Sequence, residues 1–213
     1  MSRRPAGSKR HRERGISLIE TLIAMALGLL VLTGVLQLMS QLIDGNTHTI
    51  KVARLEQDVR TVMDIIVQDL RRAGSFPEGA RDLGDAKRFL QDQPPSPLID
   101  GEGLRPGQSG SSVTYAYRDA DGKLTQGKFA WDTKAGTVQM HTGTAAAPET
   151  ITDPAFMNIS TLSFVPIVNL QQSGTLQTAQ MIIEVRLVAR LKSDTSVERQ
   201  LVDRVVLRNV VLQ

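Results

Sequence analysis

The sequence predicts an α+β fold in which one long N-terminal helix packs on an antiparallel β-sheet. An uncharged apolar run covers residues 21–43, and an amphipathic stripe continues a helical period over residues 52–73. After residue 110 the pattern changes to short runs in which apolar and polar residues alternate, which is typical of strands. Because helical segments do not recur between these runs, the sheet should be antiparallel.

Composition excludes several classes of site. Of the 213 residues, 41% are hydrophobic and 22% are charged, which indicates a globular rather than a disordered chain. The absence of cysteine excludes disulfides, thiolate zinc sites and cysteine nucleophiles. His11, His48 and His141 lie too far apart in sequence to indicate a metal centre. The sequence therefore predicts neither a cofactor nor a metal.

The net positive charge of the chain comes from its N-terminus. Residues 1–15 contain six Arg or Lys residues and one Glu, a net charge of +5, whereas the whole chain carries only +3. Residues 16–213 are therefore net −2. Since aromatic residues make up only 4% of the chain, base-stacking surfaces are not expected either. The sequence predicts no nucleic-acid partner.

The apolar run predicts a transmembrane helix. Its 23 residues would span roughly 34 Å as a helix, against a hydrocarbon core of about 30 Å. The preceding basic residues favour a cytoplasmic N-terminus, so the rest of the chain would cross the membrane. A secretory signal peptide is an alternative, but its apolar region is about 7–15 residues with a small-residue cleavage site. A buried core helix is disfavoured because the apolar side chains of this segment lie on every side of the helix.

Glu20 lies one turn inside this apolar stretch. A carboxylate at the edge of hydrocarbon costs about 2–3 kcal/mol and usually marks a function or a partner. An interfacial Glu that extends toward water is the alternative. The residues before it favour the functional interpretation, because a basic stretch ends in Arg14-Gly15 and the apolar Ile16 follows.

This arrangement resembles the class III signal of type IV prepilins, in which a basic leader ends in Gly and Glu is the fifth residue after it. Ile16 stands where that family usually has Phe or Met. The resemblance implies that prepilin peptidase cleaves between Gly15 and Ile16 and removes residues 1–15. It also implies N-methylation of Ile16 and recognition of a neighbouring subunit by Glu20.

Further segments resemble minor pilins of the PilW type: residues 22–30, 34–37, 55–56, 69–74 and 206–210. The resemblance implies a role in type IV pilus assembly, in an initiating or tip complex. Its implied partners are other minor pilins, the major pilin, prepilin peptidase, the inner-membrane assembly platform and membrane lipid. The protein would first be a single-pass inner-membrane protein and later part of the pilus. The alternatives are a J-type pseudopilin of type II secretion and a membrane-anchored periplasmic binding protein or enzyme.

Four regions follow along the chain. After the leader, residues 16–43 form the transmembrane helix, and residues 44–74 form an amphipathic helix that ends at Gly74. Asp44-Gly45-Asn46 either bends the helix or separates two helices. Residues 75–213 form a β-rich periplasmic or extracellular head, which begins with a long loop over 75–110 and one helical turn near 86–90. The amphipathic stripe comprises Val52, Leu55, Val59, Val62, Ile66, Leu70 and Ala73.

The head should contain six strands. Asp121-Gly122 is a hairpin signal, and the turn over 193–196 should join the last two strands. Pro166 favours an edge position or a bulge. In the longest alternating run, Met181, Ile183, Val185, Leu187, Ala189 and Leu191 should face inward. The predicted strands cover residues 113–117, 123–131, 137–141, 159–168, 180–191 and 199–212.

Near-matches to catalytic motifs are incomplete. The segment over residues 107–111 lacks the last glycine of a nucleophile elbow, and Gly101-Glu102-Gly103 lacks the third glycine of a dinucleotide loop. Asp119 and Asp121 supply fragments of a calcium loop without its remaining ligands, so a hairpin turn is preferred. The sequence therefore predicts a protein that is not an enzyme.

Overall fold

A computed structural model describes residues 17–75, 94–143, 147–173 and 176–207. It contains one long helix and antiparallel strands, so the predicted α+β architecture is confirmed. The chain divides into two units between Thr49 and Ile50. The elements are α1 (Leu18–Arg72), β1 (Leu98–Ile99), β2 (Glu102–Gly103), β3 (Ser112–Arg118), β4 (Leu124–Asp132), β5 (Thr137–Thr142), β6 (Glu149–Thr150), β7 (Met157–Ser173), β8 (Leu176–Leu191) and β9 (Glu198–Val206).

Helix α1 continues through Asp44-Gly45-Asn46, so these residues do not separate two helices. Each is a weak helix former, but an internal break would sacrifice backbone hydrogen bonds that propagate cooperatively along the helix. The following threonines adapt to the helical backbone. The Thr47 hydroxyl donates to the Ile43 carbonyl at 2.8 Å, and the Thr49 hydroxyl donates to the Gly45 carbonyl at 3.0 Å.

Helix α1 ends at Gly74, as the sequence predicted. Gly74 has a φ of 72°, a left-handed conformation that a glycine adopts without a Cβ penalty. Its N–H donates to the Ala116 carbonyl at 2.9 Å, and Ser75 N–H donates to the Arg72 carbonyl at 2.9 Å. The chain therefore leaves α1 directly alongside β3.

The buried face of α1 is wider than the predicted stripe. Six of the seven stripe residues are buried, and Val52 is half-buried. Met63 and Val67, which the stripe omitted, are buried as well. A helix that packs against several strands needs an apolar face broader than a single row of residues. The buried residues from both sheets join this face in one core.

The first sheet has the order β2-β1-β3-β4-β5-β6, and all its pairs are antiparallel. The hairpin predicted at Asp121-Gly122 joins β3 to β4, with Gly122 at a φ of 78°. Strands β3, β4 and β5 confirm three of the predicted strands. Val113 lies opposite Phe129, and both are fully buried on the inner face.

The predicted loop over 75–110 is wrong for its second half, which contains the β1–β2 hairpin. Its turn places Asp100 at a φ of 49°, and its carboxylate accepts the N–H groups of Ser111 and Ser112 at 3.1 and 2.7 Å. Burial raises the pKa of Asp100, but these hydrogen bonds outweigh it and hold the pKa below its usual value. The hairpin depends on pairing with β3, which local sequence does not reveal. The helical turn predicted near 86–90 lies outside the described residues.

The second sheet has the order β7-β8-β9. Pro166 lies in β7, which is an edge strand as predicted, while the β-bulge occurs at Ile159/Thr161 instead. The six residues of β8 predicted to face inward are all buried. Strand β9 pairs with β8 after the predicted turn, and Val205 and Leu207 are buried. The predicted continuation of this strand from 208 to 212 lies outside the described residues.

Tyr115 connects the first sheet to the helix. Its hydroxyl donates to Asp69 Oδ2 at 2.6 Å, and its ring stacks on Phe129 with centroids 5.8 Å apart. Burial and the Asp69 carboxylate raise the pKa of Tyr115, so the phenol stays protonated and remains a donor. Arg72 completes the cluster, since its guanidinium lies 4.1 Å from the Tyr117 ring and 3.5 Å from Asp69.

A second contact holds the turn before β7 against α1. The Arg54 guanidinium lies 4.1 Å from the centroid of the Phe156 ring. It also donates to Asp153 Oδ2 at 3.1 Å and pairs with Asp58 at 3.4 Å. These groups are substantially exposed, so the ion pairs contribute little and the stacked ring orients the turn.

We expect a fragment beginning near Asn46 to be soluble and to fold. It would lose the apolar run but keep the buried face of α1 and both sheets. Circular dichroism should show substantial β-structure together with helix. A fragment with almost no β-signal would contradict the expectation that the head folds without the apolar segment.

Gly127→Ala should destabilise that fragment by about 1–3 kcal/mol, because an added methyl group overpacks a filled site. Gly127 lies opposite Tyr115 on β4, and a Cβ there would collide with the tyrosine ring. Gly103→Ala is the matched control, since a Cβ at that position meets nothing within 4 Å. Urea unfolding should show a loss only for Gly127→Ala, and equal midpoints for the two variants would refute this packing argument.

Candidate membrane anchor and assembly site

The first half of α1 exposes a long apolar surface. Every large apolar side chain from Leu18 to Ile43 is more than half exposed, ranging from 51% at Val35 to 78% at Leu18. Among the described residues, α1 is the one helix whose length and composition suffice to cross a membrane. A surface of this size is unstable in water and must be covered by lipid or by other helices.

Two hydroxyl groups inside this segment are satisfied by the helix itself. The Thr21 hydroxyl donates to the Leu18 carbonyl and the Thr33 hydroxyl donates to the Leu29 carbonyl, both at 2.8 Å. In hydrocarbon an unpaired donor is costly, whereas a hydroxyl bonded to a backbone carbonyl adds little penalty. These threonines are therefore compatible with a lipid environment.

Glu20 lies in the first turn of α1 and is exposed. The Ser17 carbonyl accepts the N–H groups of Glu20 and Thr21 at 3.0 and 3.2 Å, which begins the helix. A carboxylate at this end interacts favourably with the helix dipole. On its own face of the helix, the next residues are Ile23, Ala24 and Leu27, all of them apolar. The carboxylate therefore has no pairing side chain along the described part of its own face.

The predicted cleavage site is not part of this geometry. Gly15 and Ile16 lie outside the described residues, which begin at Ser17. Of the three predicted site residues, Glu20 is the one among the described residues. It follows Ile16 by four residues in sequence. A separation of four residues corresponds to about one helical turn.

Sequence analysis missed a polar face in the second half of the apolar segment. Thr33, Gln37, Ser40 and Gln41 share one side of α1 and are called the polar face below. Two residues correspond to a rotation of about 200° around a helix. Positions two residues before those of the polar face therefore lie on the opposite side. That side carries Val31, Val35, Leu38 and Leu42. The signal for this face is the spacing of four and three residues between its polar positions, which the absence of charge in the run does not reveal.

The aspartates considered as calcium ligands are engaged in a turn. Asp119 Oδ1 accepts the N–H groups of Asp121 and Lys123 at 3.1 and 2.9 Å, which stabilises the β3–β4 hairpin. The described residues contain no cluster of His, Asp and Glu that could hold a metal ion. His141 lies beside Lys128 on the outer face of the first sheet, while His11 lies outside the described residues.

The glycine-rich near-motifs are also structural. Gly110 bridges to Phe164 of β7, with Gly110 N–H donating to the Phe164 carbonyl at 3.1 Å. A Cβ at Gly110 would collide with Ile99 and Asp100, so the glycine permits this close approach. Gly101 has a φ of 84° in the β1–β2 turn. Neither segment forms a strand–turn–helix, the context that a nucleophile elbow requires.

The comparisons with known proteins match both halves of the architecture. Residues 48–207 match the family model described as prepilin peptidase-dependent protein B, and residues 10–36 match the prokaryotic N-terminal methylation motif. No curated protein and no solved structure matches the chain. The first match covers the second half of α1 and the head, and the second includes Gly15, Ile16 and Glu20. The chain therefore belongs to the prepilin peptidase-dependent protein B family and is a type IV pilin-like protein.

Proposed function

We propose that this protein is a minor pilin of the PilW type that takes part in type IV pilus assembly, in an initiating or tip complex. The observation that carries the proposal is the exposed apolar half of α1, at the start of which Glu20 has no ion-pair partner among the described residues. This surface suits two successive environments, first lipid and then the helices of other subunits. The same helix continues into the core of the head, so it anchors that domain in both states.

Processing by prepilin peptidase is the first step of this function. The family and the methylation motif both support the peptidase as a partner. Cleavage between Gly15 and Ile16 removes the basic leader and leaves residues 16–43 as the anchor in the inner membrane. The new amine at Ile16 is then the site of N-methylation. A secretory signal, in contrast, would lose its apolar segment on cleavage.

Glu20 then selects the neighbouring subunit. Cleavage creates a positive amine near a carboxylate that lies among apolar side chains, and both charges are costly in lipid unless they are paired. A pair within one subunit is possible, but a pair between Glu20 and the amine of a neighbour forms only when two helices are in axial register. We infer that this pairing rewards correct insertion over random helix contact.

The head serves assembly rather than catalysis in this proposal. The polar groups of its sequence motifs stabilise turns, as Asp100 and Asp119 do. A shallow depression of about 280 Å³ on the outer face of the first sheet is lined by Lys128, Ala130, Gln139, His141 and Pro148. These lining residues do not include a hydroxyl or thiol nucleophile beside a base.

A J-type pseudopilin of type II secretion shares the processing signal and a β-rich head, so partners distinguish it from a minor pilin. Copurification with minor pilins and the major pilin supports the pilus, whereas copurification with secretion pseudopilins supports the alternative. A membrane-anchored binding protein or enzyme would retain residues 1–15 and tolerate loss of Glu20.

Gly15→Leu should leave the precursor uncut, because the peptidase requires a residue without a side chain at this position. Intact-mass analysis of membrane protein should show the full leader in this variant and its loss in the wild type. Gly28→Leu is the matched control, since a Cβ there meets nothing within 4 Å and the position is far from the cleavage site. A wild-type chain in assembled fibres that still carries residues 1–15 would overturn the processing step.

Glu20→Ala should insert and be cleaved normally but enter fibres or tip complexes poorly. Glu20→Gln should fall between, because the amide keeps a hydrogen bond and loses the charge. Asp44→Ala, at the other end of the apolar segment, is the control and should assemble normally. The measurement is the ratio of pilus-associated to membrane-pool protein, supported by crosslinking to immediate neighbours. Ratios equal to wild type for both Glu20 variants would show that Glu20 is only an interfacial residue.

A further inference from the structure

The polar face of α1 is a specific feature within an otherwise apolar surface. From Thr33 to Gln41 every residue able to form side-chain hydrogen bonds lies on this one side of the helix. On the opposite side Val31, Val35 and Leu38 repeat the same spacing with apolar side chains that are all more than half exposed. Two faces of the same helical turns therefore present different chemistry to a neighbour.

The side chains of the polar face differ in whether they already form a hydrogen bond within the helix. The Thr33 hydroxyl is bonded to the Leu29 carbonyl. Within the part of the chain that the structure describes, no hydrogen bond engages the side chains of Gln37, Ser40 or Gln41. A carboxamide offers two donors and one acceptor, and hydrocarbon supplies no partner for either. These groups require a ligand that also carries both donors and acceptors.

The position of these residues along the helix places them within the hydrocarbon core, where water cannot supply their hydrogen bonds. Gln37 is 17 residues after Glu20, roughly 26 Å along the helix axis, which is less than the hydrocarbon thickness of about 30 Å. If Glu20 marks one edge of the membrane, Gln37 still lies inside it and Gln41 lies at the far edge. Asp44 continues the same face just beyond, where water screens its charge.

A second copy of this helix meets these requirements directly. Carboxamides are self-complementary, so Gln37 can both donate to and accept from Gln37 of another copy. Both copies carry the same basic N-terminal stretch and therefore insert in the same direction. Parallel helices in register bring equal positions together, and a spacing of four and three residues matches the seam along which such helices pack.

We propose that the polar face is a self-association surface, through which two copies of this chain pair as parallel helices in the membrane before assembly. Hydrogen bonds among Gln37, Ser40 and Gln41 hold the pair, while the opposite face remains in contact with lipid. This proposal rests on the membrane insertion contained in the proposed function. It is independent of processing at Gly15 and of the role of Glu20.

Cysteine crosslinking tests the proposal without background, because the chain contains no cysteine. Single variants Gln37→Cys and Ser40→Cys report the polar face, and Val35→Cys and Leu38→Cys report the opposite face. In membranes of cells that produce the full chain, mild oxidation should give several-fold more disulfide dimer from the first two. Equal yields, higher yields from Val35→Cys and Leu38→Cys, or absence of dimer would overturn the proposal.

A second measurement tests the hydrogen bond itself. Adding Gln37→Leu to Ser40→Cys should reduce the dimer yield about threefold, the factor that one average interhelical hydrogen bond in a membrane contributes. Adding Val35→Leu to Ser40→Cys is the matched control and should leave the yield unchanged. An unchanged yield with Gln37→Leu, or crosslinks to another protein instead of a second copy, would refute the assigned partner. Carbonate extraction and intact mass of the same samples report insertion and cleavage separately.

Discussion

One continuous helix must satisfy two different solvents, and the rest of the structure follows from this constraint. The surface over residues 18–43 is mostly apolar and exposed, so it requires lipid or neighbouring helices. From Leu55 onward the helix buries one face against strands, and its other face carries charged residues such as Arg60 and Asp64. Because backbone hydrogen bonds propagate through the weak helix formers at 44–49, one continuous helix contributes residues to both environments.

The head is attached to this helix by interactions of different strength. Most of the stabilisation comes from the buried apolar face of α1, since the free energy of burial scales with the area removed from water. The Tyr115–Asp69 hydrogen bond favours one orientation of the sheet on the helix, because a buried phenol without a partner would carry a desolvation penalty. Exposed pairs such as Arg60–Glu56 add little. Packing therefore holds the sheets on the helix, and the polar contacts select their orientation.

The candidate site was predictable to the extent that its chemistry is local. Gly15, Ile16 and Glu20 form a pattern within six residues, and the apolar run that follows is uninterrupted by charge. The polar face was harder to recognise because its members are separated by apolar residues and appear together only when the chain is wound into a helix. The roles of Asp100 and Gly110 depend on partners that are 11 and 54 residues away. No local pattern identifies such partners.

Sequence alone determined the class of the fold, the continuous apolar segment, the end of α1 at Gly74 and the inward residues of β8. These features depend on the periodicity of side chains and on the special conformational freedom of glycine, both of which are properties of short segments. Only the tertiary structure decided the burial of Met63 and Val67, the β1–β2 hairpin and the bulge at Ile159/Thr161. Each of these features results from contact with a distant strand. Such contacts are selected by the packing of the whole core, so the residues involved carry no distinguishing signal of their own.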